Sequence, residues 1–143
     1  MRMDTPARKR KSGIPTGHAG EYFVMGELLR RGYDAQLADR NTKGYDITVR
    51  RPSDRTFRPI QVKTVRSGPW YVSTSQFRDE SLELVTVYVL LGNESCDHPV
   101  RYFVAKNSEL ATHAESPDGW KDYGFMSAKA VAPFEDRWDI LWS

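Results

Sequence analysis

Four side chains in the first half of the chain have the chemistry of a site for a hard cation. Asp46 and Glu21 carry carboxylates, Gln61 carries an amide oxygen, and Lys63 follows Gln61 by two positions. Mg²⁺ prefers oxygen ligands, and an adjacent ammonium can orient or deprotonate a water or stabilise charge on a phosphoryl group. With the Val62 carbonyl as a further oxygen, this set predicts metal-assisted hydrolysis of a phosphodiester.

The segment that carries Gln61 and Lys63 is predicted to be a strand over residues 57–65. Strand alternation sends these two side chains to one face and the apolar Ile60 and Val62 to the other face. Buried polar groups are costly unless they are paired. The polar pair on an otherwise apolar strand therefore indicates a functional position.

Asp46 lies near the start of a second predicted strand, over residues 45–51. The turn at 52–55 joins this strand to the next one, so residues 45–65 are predicted to form an antiparallel hairpin. Pairing in the hairpin brings Asp46 towards Gln61 and Lys63. The sequence alone leaves the register open, because a slip of one residue exchanges the two faces.

Glu21 belongs to a helix predicted over residues 17–31, with Thr16 as its N-cap. The carboxylate falls at the edge of the apolar face, which is unusual for an acid. The alternative is a first-turn glutamate that is favoured by the helix dipole. Gly20 and Gly26 are expected to let the helix approach a sheet closely.

The rest of the chain is predicted to mix strands and short helices. The sequence therefore predicts an α/β fold with a single mixed β-sheet flanked by helices. Residues 1–15 are predicted to be a disordered basic arm and residues 16–143 a single domain. The further elements are a weak strand at 33–38, a strand at 70–72, a possible helix at 75–83, a buried strand at 84–91, a strand at 100–105, a helix at 109–114, a loop at 115–124 and a terminal helix at 135–142.

Charge is distributed unevenly along the 143 residues, although the net charge is only +2. Residues 40–66 contain eight basic and two acidic residues, whereas residues 79–143 contain 12 acids and five bases. A positive segment around the candidate site suits a polyanion such as DNA, and the alternative is a solvated surface. The candidates for phosphate contact are Arg50, Arg51, Arg55, Arg58 and Arg66.

Several classes of protein are not expected from this sequence. No apolar run is long enough for a membrane span, the basic first residues are not followed by an apolar signal segment, and no glycine-rich loop predicts a nucleotide cofactor. Cys96 is the single cysteine, which excludes an internal disulfide and fits a cytoplasmic protein. His18 is either a further site residue or a surface residue, and Trp70 and Tyr71 are either core aromatics or platforms for a base.

Four elements of the chain, taken in order, resemble the PD-(D/E)xK nuclease superfamily. They are Glu21, the run Leu28-Leu29-Arg30-Arg31-Gly32-Tyr33, Asp46 and the strand segment Gln61-Val62-Lys63. The spacing is most similar to that of archaeal-type Holliday junction resolvase-like proteins, and the resemblance covers roughly residues 17–73. It implies a restriction endonuclease-like fold and a Mg²⁺- or Mn²⁺-dependent endonuclease acting on DNA, including structured or branched DNA. It also implies direct metal ligation by Asp46 and Gln61, and a two-fold dimer if two strands are cut.

One residue departs from the pattern of that superfamily. The lysine strand usually carries a glutamate where this chain has Gln61, although Gln-x-Lys resembles the variant found in Mrr-type restriction endonucleases. The change removes one negative charge from the shell of the cation and should lower metal affinity. An alternative is therefore a catalytically degenerate nucleic-acid-binding module, and a third is a structural domain with an incidental basic cluster.

Overall fold

The computed structural model describes residues 14–39, 41–42 and 44–143. Its longer elements are helix α1 (Ile14–Arg30) and strands β1 (Asp34–Leu37), β2 (Ile47–Arg50), β3 (Arg58–Val65), β4 (Trp70–Ser73), β5 (Val85–Leu90), β6 (Arg101–Lys106) and β7 (Tyr123–Met126). Short helices are α2 (Asn107–Leu110), α3 (Ala128–Val131) and 3₁₀ segments at Thr74–Phe77, Asp79–Ser81, Ala132–Phe134 and Trp138–Trp142. None of the helices in these ranges is long and apolar enough to cross a membrane.

The main sheet has five strands in the order β1-β2-β3-β5-β6, and β4 pairs with β7 in a separate two-stranded sheet. The predicted hairpin is confirmed, because β2 and β3 are antiparallel with Ile47 opposite Ile60. Strands β3 and β5 are parallel, which places Gln61 beside Thr86 and Lys63 beside Tyr88. The mixed sheet with flanking helices is therefore the predicted fold class.

Each face of the main sheet has its own hydrophobic core. Helix α1 and the C-terminal segment cover the face that carries Ile60 and Val62, and the buried members of this cluster include Val24, Leu28, Ile47, Val49, Val87, Val89, Trp138 and Leu141. The second face carries Tyr88 and is covered by the β4–β7 sheet and the short helices. Strand β5 is buried on both faces, as its continuous apolar sequence predicts.

The first helix begins earlier than the sequence predicts. Thr16 lies inside the first turn, so its prediction as the N-cap is wrong. Pro15 suits this turn because its fixed φ is helical and a backbone N–H at that position would lack a helical partner. Residues 14 and 15 are thus helical rather than part of the predicted arm, and residues 1–13 of that arm lie outside the described residues.

Other short elements also differ from the predictions. The possible helix at 75–83 is a pair of 3₁₀ segments, the helix at 109–114 is the single turn of α2, and the loop at 115–124 ends in β7. The terminal helix at 135–142 is a 3₁₀ segment that begins at Trp138. Asp136, with φ at 55°, interrupts helical geometry before that point.

Gly20 lets α1 approach β3 closely. A Cβ at this position would overlap the hydroxyl of Thr64 on β3. A Cβ at Gly26 would meet nothing within 4 Å, so the same expectation is wrong for Gly26, which is exposed. The close contact fixes the start of the helix, and with it Glu21, against the sheet.

Candidate active site

Asp46 stands where the main sheet opens. Its backbone extends the ladder by one residue beyond β2, because its N–H donates to the Ile60 carbonyl at 2.8 Å and its carbonyl accepts from the Ala38 N–H at 2.9 Å. The segment before Asp46 lies outside the sheet and turns at Gly44, whose φ is 92°. Strand β3 continues to Val65, so its second half projects past the end of β2.

The Asp46 side chain takes the place of the missing strand partner. Its Oδ2 accepts the Val62 N–H at 2.8 Å. In a strand, the N–H and C=O of one residue point towards the same neighbour. The Val62 carbonyl therefore faces the same open edge as the Asp46 carboxylate, and the two oxygens are available to one ligand at that edge.

Glu21 reaches this edge from α1. It lines a cleft of about 510 Å³ together with His18 and Asp46, between the helix and the connection from β1 to β2. Burial raises the pKa of the Glu21 carboxyl, the Asp46 carboxylate raises it further, and His18 opposes both. A carboxyl group whose ionisation is disfavoured by burial and by a neighbouring carboxylate is a local arrangement that a cation would stabilise.

Lys63 approaches Asp46 from the second face of the sheet. Burial lowers the pKa of its ammonium, and the Asp46 carboxylate partly opposes that effect. Asp46 thus interacts electrostatically with Glu21 on one side and with Lys63 on the other. The Gln61 side chain lies on the same face as the Lys63 side chain, and neither side chain forms a hydrogen bond with the described residues.

The donor set can be tested against the metal that the sequence resemblance implies. Within the described ranges, no three side chains of His, Cys, Asp or Glu group together as a metal site. The oxygens at the open edge are two carboxylates and the Val62 carbonyl, and the Gln61 amide is carried by the neighbouring position of β3. This set fits a hard cation that keeps part of its water shell and does not fit a tetrahedral zinc site.

Three of the five candidate arginines have side-chain partners in the fold. Arg50 forms an ion pair with Asp34 at 3.0 Å. Arg51 and Arg58 lie over the ring of Trp142, at 4.8 and 5.6 Å from its centroid. These three side chains hold the hairpin and the C-terminal segment in place, a role that the sequence analysis missed because their partners are distant along the chain.

The other two arginines have no side-chain partner among the described residues. Arg55 and Arg66 are exposed, and Arg66 donates to the Gly92 carbonyl at 3.1 Å. Arg40 and Lys43, which contribute to the positive segment, lie outside the described residues. Of the five candidates, Arg55 and Arg66 therefore have the fewest contacts with the rest of the described residues.

The two candidate aromatics have different environments. Trp70 is buried, and its indole N–H donates to the Val89 carbonyl at 3.1 Å. Tyr71 is 64% exposed and lies beside Trp120. Trp70 is thus a core residue, whereas Tyr71 remains open to a partner.

A buried polar cluster beside the candidate site was not anticipated. Gln76, Thr86 and Asn107 are buried and hydrogen-bonded to one another, and Tyr88 joins them through its hydroxyl. The signal in the sequence is faint, since Thr86 and Tyr88 interrupt the apolar run of β5 at alternate positions. Both side chains point to the face of Gln61 and Lys63.

Solved structures resemble this arrangement of strands. The Holliday junction resolvase Hjc of the archaeal hyperthermophile Archaeoglobus fulgidus aligns with a TM-score of 0.52 and 18% identity, over 82% of this chain and 88% of that one. A bacterial homing endonuclease aligns with a TM-score of 0.58 and 12% identity, over 92% of this chain and 93% of the other. The chain has a restriction endonuclease-like fold. No protein-family model matches the sequence, and no curated protein matches it at significant similarity.

Proposed function

We propose that this chain is a metal-dependent endonuclease that hydrolyses phosphodiester bonds in DNA, with Mg²⁺ or Mn²⁺ as its cofactor. The observation that carries the proposal is the position of Asp46. Its carboxylate accepts the Val62 N–H at 2.8 Å and interacts electrostatically with both Glu21 and Lys63. The likeness in fold to a resolvase and an endonuclease supports the same class of chemistry.

In this proposal Asp46 and Gln61 bind the cation directly. Glu21 is a further ligand or anchors a water bound to the cation, and the Val62 carbonyl supplies another oxygen. When bound, the cation supplies Lewis-acid polarisation of the phosphate. Lys63 orients the attacking water and stabilises the negative charge that develops on the phosphoryl oxygens, and its lowered pKa eases release of a proton.

DNA is the proposed substrate, and branched DNA is the form favoured by the likeness to a Holliday junction resolvase. Arg55 and Arg66 are proposed to contact phosphates through their exposed guanidinium groups. Arg50, Arg51 and Arg58 would contribute through donors that their partners in the fold leave free. A homodimer is proposed as well, because two-strand cleavage by one site per chain needs two copies.

The test is a cleavage assay on duplex, single-stranded, flap, four-way-junction and RNA substrates, in Mg²⁺ and in Mn²⁺. The wild-type chain is compared with Lys63→Ala and with Lys129→Ala, a control at an exposed lysine of α3. Wild type and Lys129→Ala are expected to cut at least one DNA substrate. Lys63→Ala is expected to cut about 10²–10³-fold more slowly, the usual effect of removing a group that stabilises charge in the transition state.

Other results would point to the alternative functions. Metal-independent, salt-sensitive DNA binding without cleavage would indicate the degenerate binding module. The absence of a three-acid cluster from the described residues is the observation that keeps that alternative open. A chain that neither cuts nor binds any substrate would leave only the structural role.

A further inference from the structure

The buried polar cluster beside the candidate site is built from side chains on three elements. Gln76 Nε2 lies 2.9 Å from the Tyr88 hydroxyl and 3.3 Å from Thr86 Oγ1. The Thr86 hydroxyl donates to Asn107 Oδ1 at 2.7 Å, and Gln76 Nε2 lies 3.3 Å from the same oxygen. Thr86 and Tyr88 sit on β5, directly beside the two polar residues of β3.

The backbone fixes the orientation of both amides in this cluster. Asn107 Nδ2 donates to the carbonyls of Gln76 and Ser81, at 3.0 and 2.9 Å, so Asn107 must turn its oxygen towards Thr86 and Gln76. Gln76 then has to present its NH₂ group to that oxygen, because two oxygens would repel at this distance. The amide oxygen of Gln76 is therefore directed away from Asn107.

This orientation leaves Gln76 with a free acceptor. Its Oε1 is buried and has no donor among the described residues. The residue is only 6% exposed. A buried acceptor without a donor is costly, and such atoms in native proteins call for a partner. The missing partner must carry an N–H or O–H group that the fold has not already used.

Gln61 carries such donors at the right place. It is in register with Thr86, the residue whose hydroxyl contacts Gln76, and its own amide forms no hydrogen bond with the described residues. Lys63 also has free donors, but it lies two residues further along the strand, in register with Tyr88, and has Asp46 as its electrostatic partner. Gln61 is thus the donor on this face that has no other partner among the described residues.

We propose that Gln76 is a positioning residue for the metal site: a rotation of the Gln61 side chain lets its Nε2 donate to Gln76 Oε1 and so turns Gln61 Oε1 towards the cation. The two ends of an amide are not equivalent, and the wrong rotation would present N–H groups to a cation. A carboxylate has two equivalent oxygens and needs no such control. A chain with glutamine at this ligand position therefore requires an orienting acceptor, and Gln76 supplies it. This inference rests on the proposed function.

The first test measures Mn²⁺ affinity by isothermal titration calorimetry, with cleavage as a second readout. Gln76→Met keeps the length of the side chain and removes the acceptor, and it is expected to weaken Mn²⁺ binding about 10–100-fold, the usual effect of removing a group that orients a ligand. Thr86→Val is the matched control. It breaks hydrogen bonds of the same cluster but keeps Gln76 Oε1, so it is expected to lower thermal stability without changing Mn²⁺ affinity.

A double-mutant cycle separates positioning from packing. In a Gln61→Glu background the ligand no longer has a wrong end, so Gln76→Met is expected to change Mn²⁺ affinity less than twofold. Equal losses in the two backgrounds would mean that Gln76 acts through packing and would overturn the inference. Unchanged Mn²⁺ affinity in a folded Gln76→Met variant would overturn it as well. Absence of both Mn²⁺ binding and cleavage in the wild type would overturn the proposed function and this inference together.

A second measurement needs no variant and remains decisive if Gln76→Met does not fold. In the ¹⁵N-labelled wild-type chain, the side-chain NH₂ protons of Gln61 are expected to exchange with solvent at least tenfold more slowly than those of Gln36. Gln36 is an exposed glutamine on β1 and serves as the reference. Equal exchange rates for the two glutamines would show that the Gln61 amide has no buried acceptor and would overturn the proposal.

Discussion

The contact between α1 and β3 at Gly20 gives a sharp prediction about stability. A Cβ at Gly20 would lie 2.7 Å from both Cβ and Cγ2 of Thr64, and nearer still to its hydroxyl. Carbon atoms that are not bonded normally stay about 3.5–4.0 Å apart. Gly20→Ala therefore forces the helix away from the strand or displaces Thr64, and it is expected to destabilise the protein.

Gly26 provides the matched control in the same helix. A Cβ there meets nothing within 4 Å, so Gly26→Ala gains only the higher helix propensity of alanine, about 1 kcal/mol. Gly20→Ala has the same gain, but the overpacking against Thr64 costs about 1–3 kcal/mol. Because the propensity term cancels, the difference in unfolding free energy between the two variants is expected to be about 1–3 kcal/mol.

Urea denaturation of both variants, with unchanged slopes in denaturant, measures this difference. A Thr64→Ala background removes the hydroxyl and Cγ2 and should reduce the difference, though only in part because Cβ remains. Gly20→Ala should also slow cleavage, since the helix shift displaces the adjacent Glu21. Equal stabilisation by the two alanines would refute the close approach of α1 to the sheet.

Three further predictions concern the candidate site and its surroundings. Asp46→Asn keeps an acceptor for the Val62 N–H, so its unfolding free energy should stay within about 1 kcal/mol of wild type. Asp46→Ala should lose about 1–3 kcal/mol of unfolding free energy, and both variants should lose cleavage. Equal stabilities of the two variants in urea would contradict this prediction. Folding raises the pKa of Glu21 above 4.5. Between the unfolded and folded pKa values the folded state therefore binds more protons than the unfolded state, so the free energy of unfolding should fall as pH rises through the folded pKa. Urea denaturation from pH 4 to pH 8 should show a smaller decrease for Glu21→Gln, and an identical profile for both proteins would disprove the effect. Arg66→Ala should reduce the slope of log K for DNA binding against log salt concentration by about 0.9, with little change in stability. Arg58→Ala should mainly destabilise the fold, because the Arg58 guanidinium donates to a backbone carbonyl of the C-terminal segment. An unchanged slope for Arg66→Ala would remove Arg66 from the DNA interface.

The local pattern of the sequence was sufficient for the main sheet. Alternation with period two identified the strand around Gln61 and Lys63 and the strand that pairs with it in the hairpin, and a continuous apolar run identified the buried strand β5. These features depend on neighbours along the chain. The same alternation separated Gln61 and Lys63 from Ile60 and Val62. It was less reliable for short helices, since one or two turns contain too few residues for a periodic pattern.

The arrangement of the site was decided by the tertiary structure. The Asp46 carboxylate accepts the Val62 N–H because β2 begins only at Ile47, whereas the antiparallel β3 extends beyond that point to Val65. This register depends on the turn between the two strands. The contact of Gly20 with the sheet depends on how two distant segments pack. The free acceptor of Gln76 depends on backbone carbonyls that fix Asn107 from another part of the chain. These contacts join residues far apart in sequence, and no local pattern encodes their distances.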